Sequence, residues 1–442
     1  WLLAIPFIIP SYVFAVAWID LLGRNGFLTN LLTEHIGMPN AFEGLALYSP
    51  AGVILVLSLS FFPIVALTTG LAVRRLDPRL EEASRLADAG KRTLLCITLP
   101  LLMPAILTGG LLVFALSLVE FAVPSLLQVH VYTVEVYSRF CAFYSLAGAT
   151  AQATPLLVIG LGVLAVWAGW VRPRDQRLVR QGEENARESG RLSRLGALVW
   201  CVSLVVFSAI MPVAVLFRRS LPLSTYLQTF KTVREEIWTT AWVSAASAGV
   251  LVLLAFGLVF VQRKGLLKRG MAILSLAPFL ISGPVLGIGL ILLWNHAGPA
   301  SLIYDTPAVM ILACSARFFF FAFAAAGLAI HALPKRVEEP ARVAGMHWAR
   351  QLKGLFLPLA WPSLVGAWGF VFLLCVGEID ATILVCPPGR TTLPVRLFTL
   401  MHYGPSPMVA ALAVITVLLV SGGALVAGIA YNRMKRTMDA FH

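Results

Sequence analysis

Ten apolar runs of membrane-spanning length, separated by short polar loops, constrain this chain more than any single residue does. They lie at about 1–22, 50–73, 100–122, 153–171, 195–217, 237–261, 271–293, 306–331, 361–381 and 408–431. Each has roughly the 20 residues an α-helix needs to cross a hydrocarbon core. Charged residues make up 12% of the 442, against about 25% in soluble domains. Too little polar surface exists to enclose these runs in water. In lipid, a helix satisfies its own backbone polar groups, so the expected fold is all-α, a polytopic transmembrane helical bundle.

The net charge of +13 points to the membrane and not to nucleic acid. Lys and Arg gather in short loops such as 262–270 (QRKGLLKRG) and 432–436 (NRMKR), and no basic-aromatic surface accompanies them. With those loops inside, the others alternate consistently. One departs from the bias: 218–236 falls outside yet carries Arg218, Arg219, Lys231 and Arg234. The six cysteines are scattered without a C-x2-C pair, so no metal site is expected from them.

Two polar stretches break the apolar pattern and resemble each other. Residues 81–104 read EEASRLADAGKRTLLCITLPLLMP and residues 338–362 read EEPARVAGMHWARQLKGLFLPLAWP. Leu99-Pro100 and Leu357-Pro358 are 258 residues apart, as are Glu120 and Glu378. Upstream, AIPFIIPSYV at 4–13 matches APFLISGPVL at 277–286, with Pro6 opposite Pro278. These matches describe a parallel duplication: a first half at 1–171, a polar linker at 172–194 and a second half at 195–442. Two apolar runs precede Pro278 in the second half and none precede Pro6 in the first. The repeat therefore predicts two further helices before Trp1, twelve spans in all. A first residue that is not Met favours truncation over a naturally shorter copy.

Each polar stretch suits a short surface helix. In the second, Glu338 and Glu339 favour the positive end of the helix dipole, and Pro340 is tolerated in the first turn. Ala341, Ala344 and Gly345 are small enough for another surface to approach closely. The spacing Glu339-x-Ala341-x3-Gly345-x9-Leu355-x-Leu357-Pro358 resembles the EAA loop of bacterial ABC-importer permeases. The first copy, with Glu81, Glu82, Ala83 and Ala87, resembles it less well: aligned on the glutamates, Asp88 falls where the family has Gly, and aligned without a gap Ala87 falls there instead, with Gly90 nearby. The resemblance implies that both loops, 81–100 and 338–358, dock into ATPase subunits. The docking residues it implies are Glu81, Glu82, Ala83, Ala87 and Gly90 in the first loop and Glu338, Glu339, Ala341, Gly345, Leu357 and Pro358 in the second.

The segment from Glu378 to Phe398 (EIDATILVCPPGRTTLPVRLF) resembles fused iron(III)-type permeases. It implies an inner-membrane permease, fed by a periplasmic binding protein and driven by two copies of a separate ATPase. Fe(III) is the first expected substrate, with thiamine, phosphonate and polyamine as alternatives. No G-x4-G-K-[ST] phosphate loop occurs in the chain. ATP and Mg are therefore expected on the partner, with no cofactor and no metal site in this chain.

Four ionisable residues fall within or at the ends of apolar runs: Glu120, Arg317, Glu378 and Asp380. Charge at such depth needs a partner, a carbonyl or water. They are candidates for a substrate pathway between the halves, and equally for structural ion pairs. Asp380 has no counterpart in the first copy, where Ala122 stands. A secondary transporter driven by an ion gradient is the rival class, although it has no need of two docking loops. A membrane-embedded enzyme would need converging His, Asp or Ser groups, and none is seen.

Overall fold

The computed structural model describes residues 2–24, 26–36, 47–74, 94–170, 191–263, 274–296, 301–331, 346–404 and 406–439, with positions 76, 271 and 298 besides. Of the described residues 86% are helical and none lies in a strand. Among them, eight helices are long and apolar enough to cross a membrane, and two bent pairs raise the count to ten. The chain is an all-α, multi-pass membrane protein, as the hydropathy pattern predicts.

In chain order the helices are α1 (Ser11–Leu22), α2 (Phe27–Ile36), α3 (Pro50–Arg74), α4 (Leu99–Val119), α5 (Ala122–Leu126), α6 (Tyr132–Cys141), α7 (Leu146–Trp170), α8 (Arg191–Val205) and α9 (Met211–Arg219). They continue with α10 (Ser224–Arg263), α11 (Gly283–Trp294), α12 (Ser301–Tyr304), α13 (Ala308–His331), α14 (Trp348–Gln351), α15 (Leu357–Val376), α16 (Thr382–Val385), α17 (Leu393–Tyr403) and α18 (Ser406–Asp439).

Two of the apolar runs are bent. Leu2–Ile8 meets the helix from Ser11 at 91°, and Leu274–Leu280 meets α11 at 105°. The cause is local. Pro10 precedes α1, and Ser282-Gly283-Pro284 opens α11. Pro10 and Ser282, the residues just before the two helices, are extended (ψ 143° and 146°), and proline supplies no N–H to continue a preceding turn. The two breaks fall at matching places in the repeat.

A second repeat signature lies in the helix hydrogen bonding. Three five-residue π-turns occur among the described residues: Leu94–Thr98, Val206–Ile210 and Leu352–Phe356. Each ends two residues before a proline: Pro100, Pro212 and Pro358. A proline ring clashes with the carbonyl four residues back and offers it no donor. Widening the preceding turn to i→i+5 relieves both problems. The first and third π-turns begin 258 residues apart, the offset of the sequence repeat.

The described chain forms two compact units. In the first (1–119, 127–129, 158–218), α3 and α4 pack closely at Gly109, where a Cβ would lie 2.4 Å from the Thr68 hydroxyl and 3.1 Å from Val65 Cα. The second unit joins 219–442 to 120–126 and 130–157. Its core is built by α10, α13, α15 and α18. Trp368 on α15 donates its indole N–H to the Ala245 carbonyl on α10 at 3.2 Å. Gly369 lets α15 approach Ala427 of α18, since a Cβ would meet the Ala427 methyl at 2.2 Å. α11 packs against α6, with Ile288 clustered among Val136, Ala149 and Ala153.

Candidate functional site

The four ionisable residues singled out in the sequence converge in the second unit. Arg317 projects from α13, while Glu378 and Asp380 occupy the corner between α15 and α16. Arg317 Nε lies 2.8 Å from Glu378 Oε2, and Arg317 Nη2 lies 2.5 Å from Asp380 Oδ2. All three side chains are buried, and so is Glu120. Glu120 is close enough to act electrostatically on Arg317. Three carboxylates thus face one guanidinium, out of reach of bulk water.

The corner is a local motif with a repeat-equivalent twin. α15 stops at Val376, where Gly377 follows, and Glu378 turns its carboxylate forward to accept the Ala381 N–H at 2.8 Å. Thr382 donates its hydroxyl to the Glu378 carbonyl at 3.0 Å. In the first copy α4 stops at Val119, and Glu120 Oε1 accepts the Val123 N–H at 3.3 Å. Both glutamates therefore satisfy a donor at the start of a short helix, as an N-cap does.

Asp380 has a different role. Its carboxylate accepts backbone N–H groups from Phe121 and Ala122 as well as the Arg317 contact. Ala122 is the residue that stands opposite Asp380 in the repeat. The second copy's corner is thereby fastened to the equivalent corner of the first, through a side chain the first lacks. Thr133 reinforces the first corner by donating to the Glu120 carbonyl at 2.9 Å.

Gly283 makes room for this arrangement. A Cβ there would lie 2.1 Å from Asp380 Cβ and 2.8 Å from Arg317 Nη1. One turn later, a Cβ on Gly287 would press on Leu384 and the Ala381 carbonyl at 3.0 and 3.1 Å. The broken end of α11 therefore lies directly against the corner. Sequence reasoning missed Gly283 and the Phe121–Ala122 backbone. Ser-Gly-Pro between two apolar segments is the signal that could have located the elbow.

Glu378 and Asp380 lie past Val376, where the span Leu352–Val376 ends. No group of three or more His, Cys, Asp or Glu with metal-holding geometry occurs among the described residues.

Of the docking residues, Glu81, Glu82, Ala83, Ala87, Gly90, Glu338, Glu339, Ala341 and Gly345 lie outside the described residues. Leu357 and Pro358 are described and begin α15, directly after the third π-turn. Just upstream, Gln351 is buried and donates to the Met346 carbonyl at 2.8 Å. Phe356 stacks edge-on against Phe260 near the end of α10, with centroids 5.0 Å apart. The exit from the second loop is therefore gripped by the helical core.

Known proteins resemble this chain in sequence. Residues 1–174 match the family described as binding-protein-dependent transport system inner membrane component. The chain is 24% identical over 405 residues to the ferric transport system permease protein FbpB of Actinobacillus pleuropneumoniae, covering 86% of this chain and 58% of that one. It is 24% identical over 406 residues to the Fe(3+)-transport system permease protein FbpB 2 of Haemophilus influenzae, covering 90% and 75%. A shorter match, 35% identical over 120 residues, is to the molybdenum transport system permease protein ModB of Escherichia coli, covering 27% and 50%. The chain spans less than two thirds of the length of the first and third of these relatives.

Proposed function

We propose that this chain, a binding-protein-dependent transport permease of the inner membrane, forms the path by which an ATP-driven importer moves Fe(III) into the cell. The repeat carries the proposal. Two polar loops 258 residues apart each feed a Leu-Pro helix start through a π-turn, and each following span ends in a glutamate corner. A duplicated loop suits a duplicated partner, here two copies of an ABC ATPase. Fe(III) is favoured because relatives matching most of the chain are named for ferric transport. Molybdate, thiamine, phosphonate and polyamine are the alternatives within the same machinery.

In this reading the binding protein delivers substrate on the outer side, and ATP binding closes the ATPases on the inner side. The two ligands bias one two-state equilibrium in opposite directions. The buried cluster of Arg317, Glu378 and Asp380 ties α13, the α15–α16 corner and the first copy's corner into one body. It holds these elements in register while other surfaces move. The carboxylates are held by a guanidinium and by backbone donors, which favours a structural role in the transport path over direct ligation of the ion.

Co-purification tests the docking half of the proposal. The chain should retain its ATPase through gel filtration, and Gly345→Trp should abolish retention, since the bulky ring denies close approach. Glu339→Ala should weaken it. ATPase binding that persists in Gly345→Trp, combined with uptake driven by an ion gradient alone, would instead favour a secondary transporter.

A further inference from the structure

The outer loop that breaks the charge bias takes a definite form. α10 runs for 40 residues from Ser224 to Arg263. Residues 237–261 carry no charge, and these 25 alone are enough to cross a core of about 30 Å at 1.5 Å per residue. The first 13 residues of the helix, 224–236, are surplus. Standing upright they would rise about 20 Å above the boundary.

The connection does not permit that height. The preceding span, Leu195–Arg219, ends in a pair of arginines that mark the membrane boundary. Only residues 220–223 intervene before α10, and they are folded into a turn. Thr225 N–H donates to the Pro222 carbonyl and Tyr226 N–H to the Leu223 carbonyl. The Ser220 hydroxyl lies 2.5 Å from the Tyr226 hydroxyl. α10 therefore starts close to the boundary, and the part of it before Val233 is the part free to follow that boundary. The one break in its helical geometry, Val233 with φ −112° and ψ 16°, falls in this surplus segment.

The side chains sort into three faces. Thr229 and Val233 are fully buried against the protein. Leu223, Leu227, Phe230 and Trp238 form an apolar stripe at 66%, 68%, 50% and 70% exposure. Gln228, Lys231, Thr232 and Glu235 are exposed on the remaining side, and exposed Arg234 interrupts the stripe. Neither Lys231 nor Arg234 has an ion-pair partner among the described residues. Glu236 instead leans toward Arg396, at 3.7 Å. An exposed apolar stripe ending in Trp and edged by Lys and Arg is the composition of a helix lying in a membrane interface.

We infer that residues 223–232, before the break at Val233, lie along the outer membrane–water boundary with Trp238 at the head of the span, the stripe among acyl chains and Lys231 and Arg234 on anionic lipid phosphates. Basic stems reaching from an apolar face to the phosphate layer explain why these charges are tolerated on the outer side. Only the word "outer" rests on the loop alternation read from the sequence. The interfacial position does not, and its test needs no transport.

The test uses the full chain in lipid nanodiscs and compares wild type with Trp238→Phe, so that the difference isolates one of the 11 tryptophans. Lipids brominated near the carbonyl end should quench the Trp238 component roughly twofold, while aqueous iodide should leave it nearly unchanged. Replacing phosphatidylcholine with phosphatidylglycerol should raise the melting temperature, and Lys231→Gln/Arg234→Gln should remove most of that rise. Iodide quenching without bromolipid quenching would overturn the inference. Iodide quenching relieved by a periplasmic binding protein would overturn it too, and assign the stripe to protein docking. A double variant that keeps the full lipid dependence would overturn the headgroup contact.

Discussion

Arg317 stands between two carboxylates in a site from which water is excluded, and removing it would leave both without their counterion. A single truncation of a buried ion pair costs about 3–5 kcal/mol, whereas replacing all partners can be nearly neutral. Arg317→Met should therefore destabilise the protein by that order, and Arg317→Met/Glu378→Gln/Asp380→Asn by less, in thermal unfolding in detergent. Equal or greater loss in the triple variant would mean that the charges are not mutually compensating. Gly283→Ala drives a methyl into Asp380 and Arg317, so an overpacking cost of about 1–3 kcal/mol is expected. Gly289→Ala, with nothing within 4 Å of its Cβ, should be close to neutral in the same assay. Arg317, Glu378, Asp380 and Glu120 were legible in the sequence because charge in an apolar run has few explanations. Gly283 was not, because the need for a missing Cβ appears only when a distant corner is folded against it.

The three π-turns are set by single prolines, and each inserts one extra residue into a helix. Removing the cause should remove the insertion. Pro358→Ala restores an N–H and lets the segment from Trp348 run as regular α-helix into α15. One residue fewer per turn rotates everything upstream by about 100° relative to the span. The loop before it, 338–345, would then be re-aimed. The expected outcome is a fold as stable as wild type or more so, with ATP hydrolysis by the partner no longer stimulated by loaded binding protein. Unchanged stimulation would show that the π-turn does not set the aim of the loop. The helices themselves were legible, since long apolar runs admit little else in a membrane. Their bends and π-turns were less so: the prolines were visible, but which would bend a span and which would only widen a turn depends on the packing around them.

Over the whole molecule, the repeat is the organising fact and the two copies are unequal. Both have a broken helix, a π-turn before Leu-Pro, and a glutamate corner. Only the second adds Arg317, Asp380 and Gly283, and with them the fastening between the corners. The duplication was readable from offsets in the sequence, whereas the fastening was not, because half of it is made by the backbone of Phe121 and Ala122. The asymmetry predicts that Asp380→Asn lowers the melting temperature, since it weakens both the Arg317 pairing and the backbone bonds from Phe121 and Ala122. An unchanged melting temperature would contradict the fastening.

The central claim, that the chain is the membrane path of an ATP-driven ferric importer, is tested most directly by uptake into proteoliposomes. These would hold the permease with its ATPase, and receive binding protein loaded with radiolabelled Fe(III). ATP enclosed on the ATPase side should drive accumulation that stops without ATP or without binding protein. Molybdate or phosphonate on their own binding proteins should not be taken up. Accumulation that continues without ATP, or that follows an imposed ion gradient instead, would contradict the account.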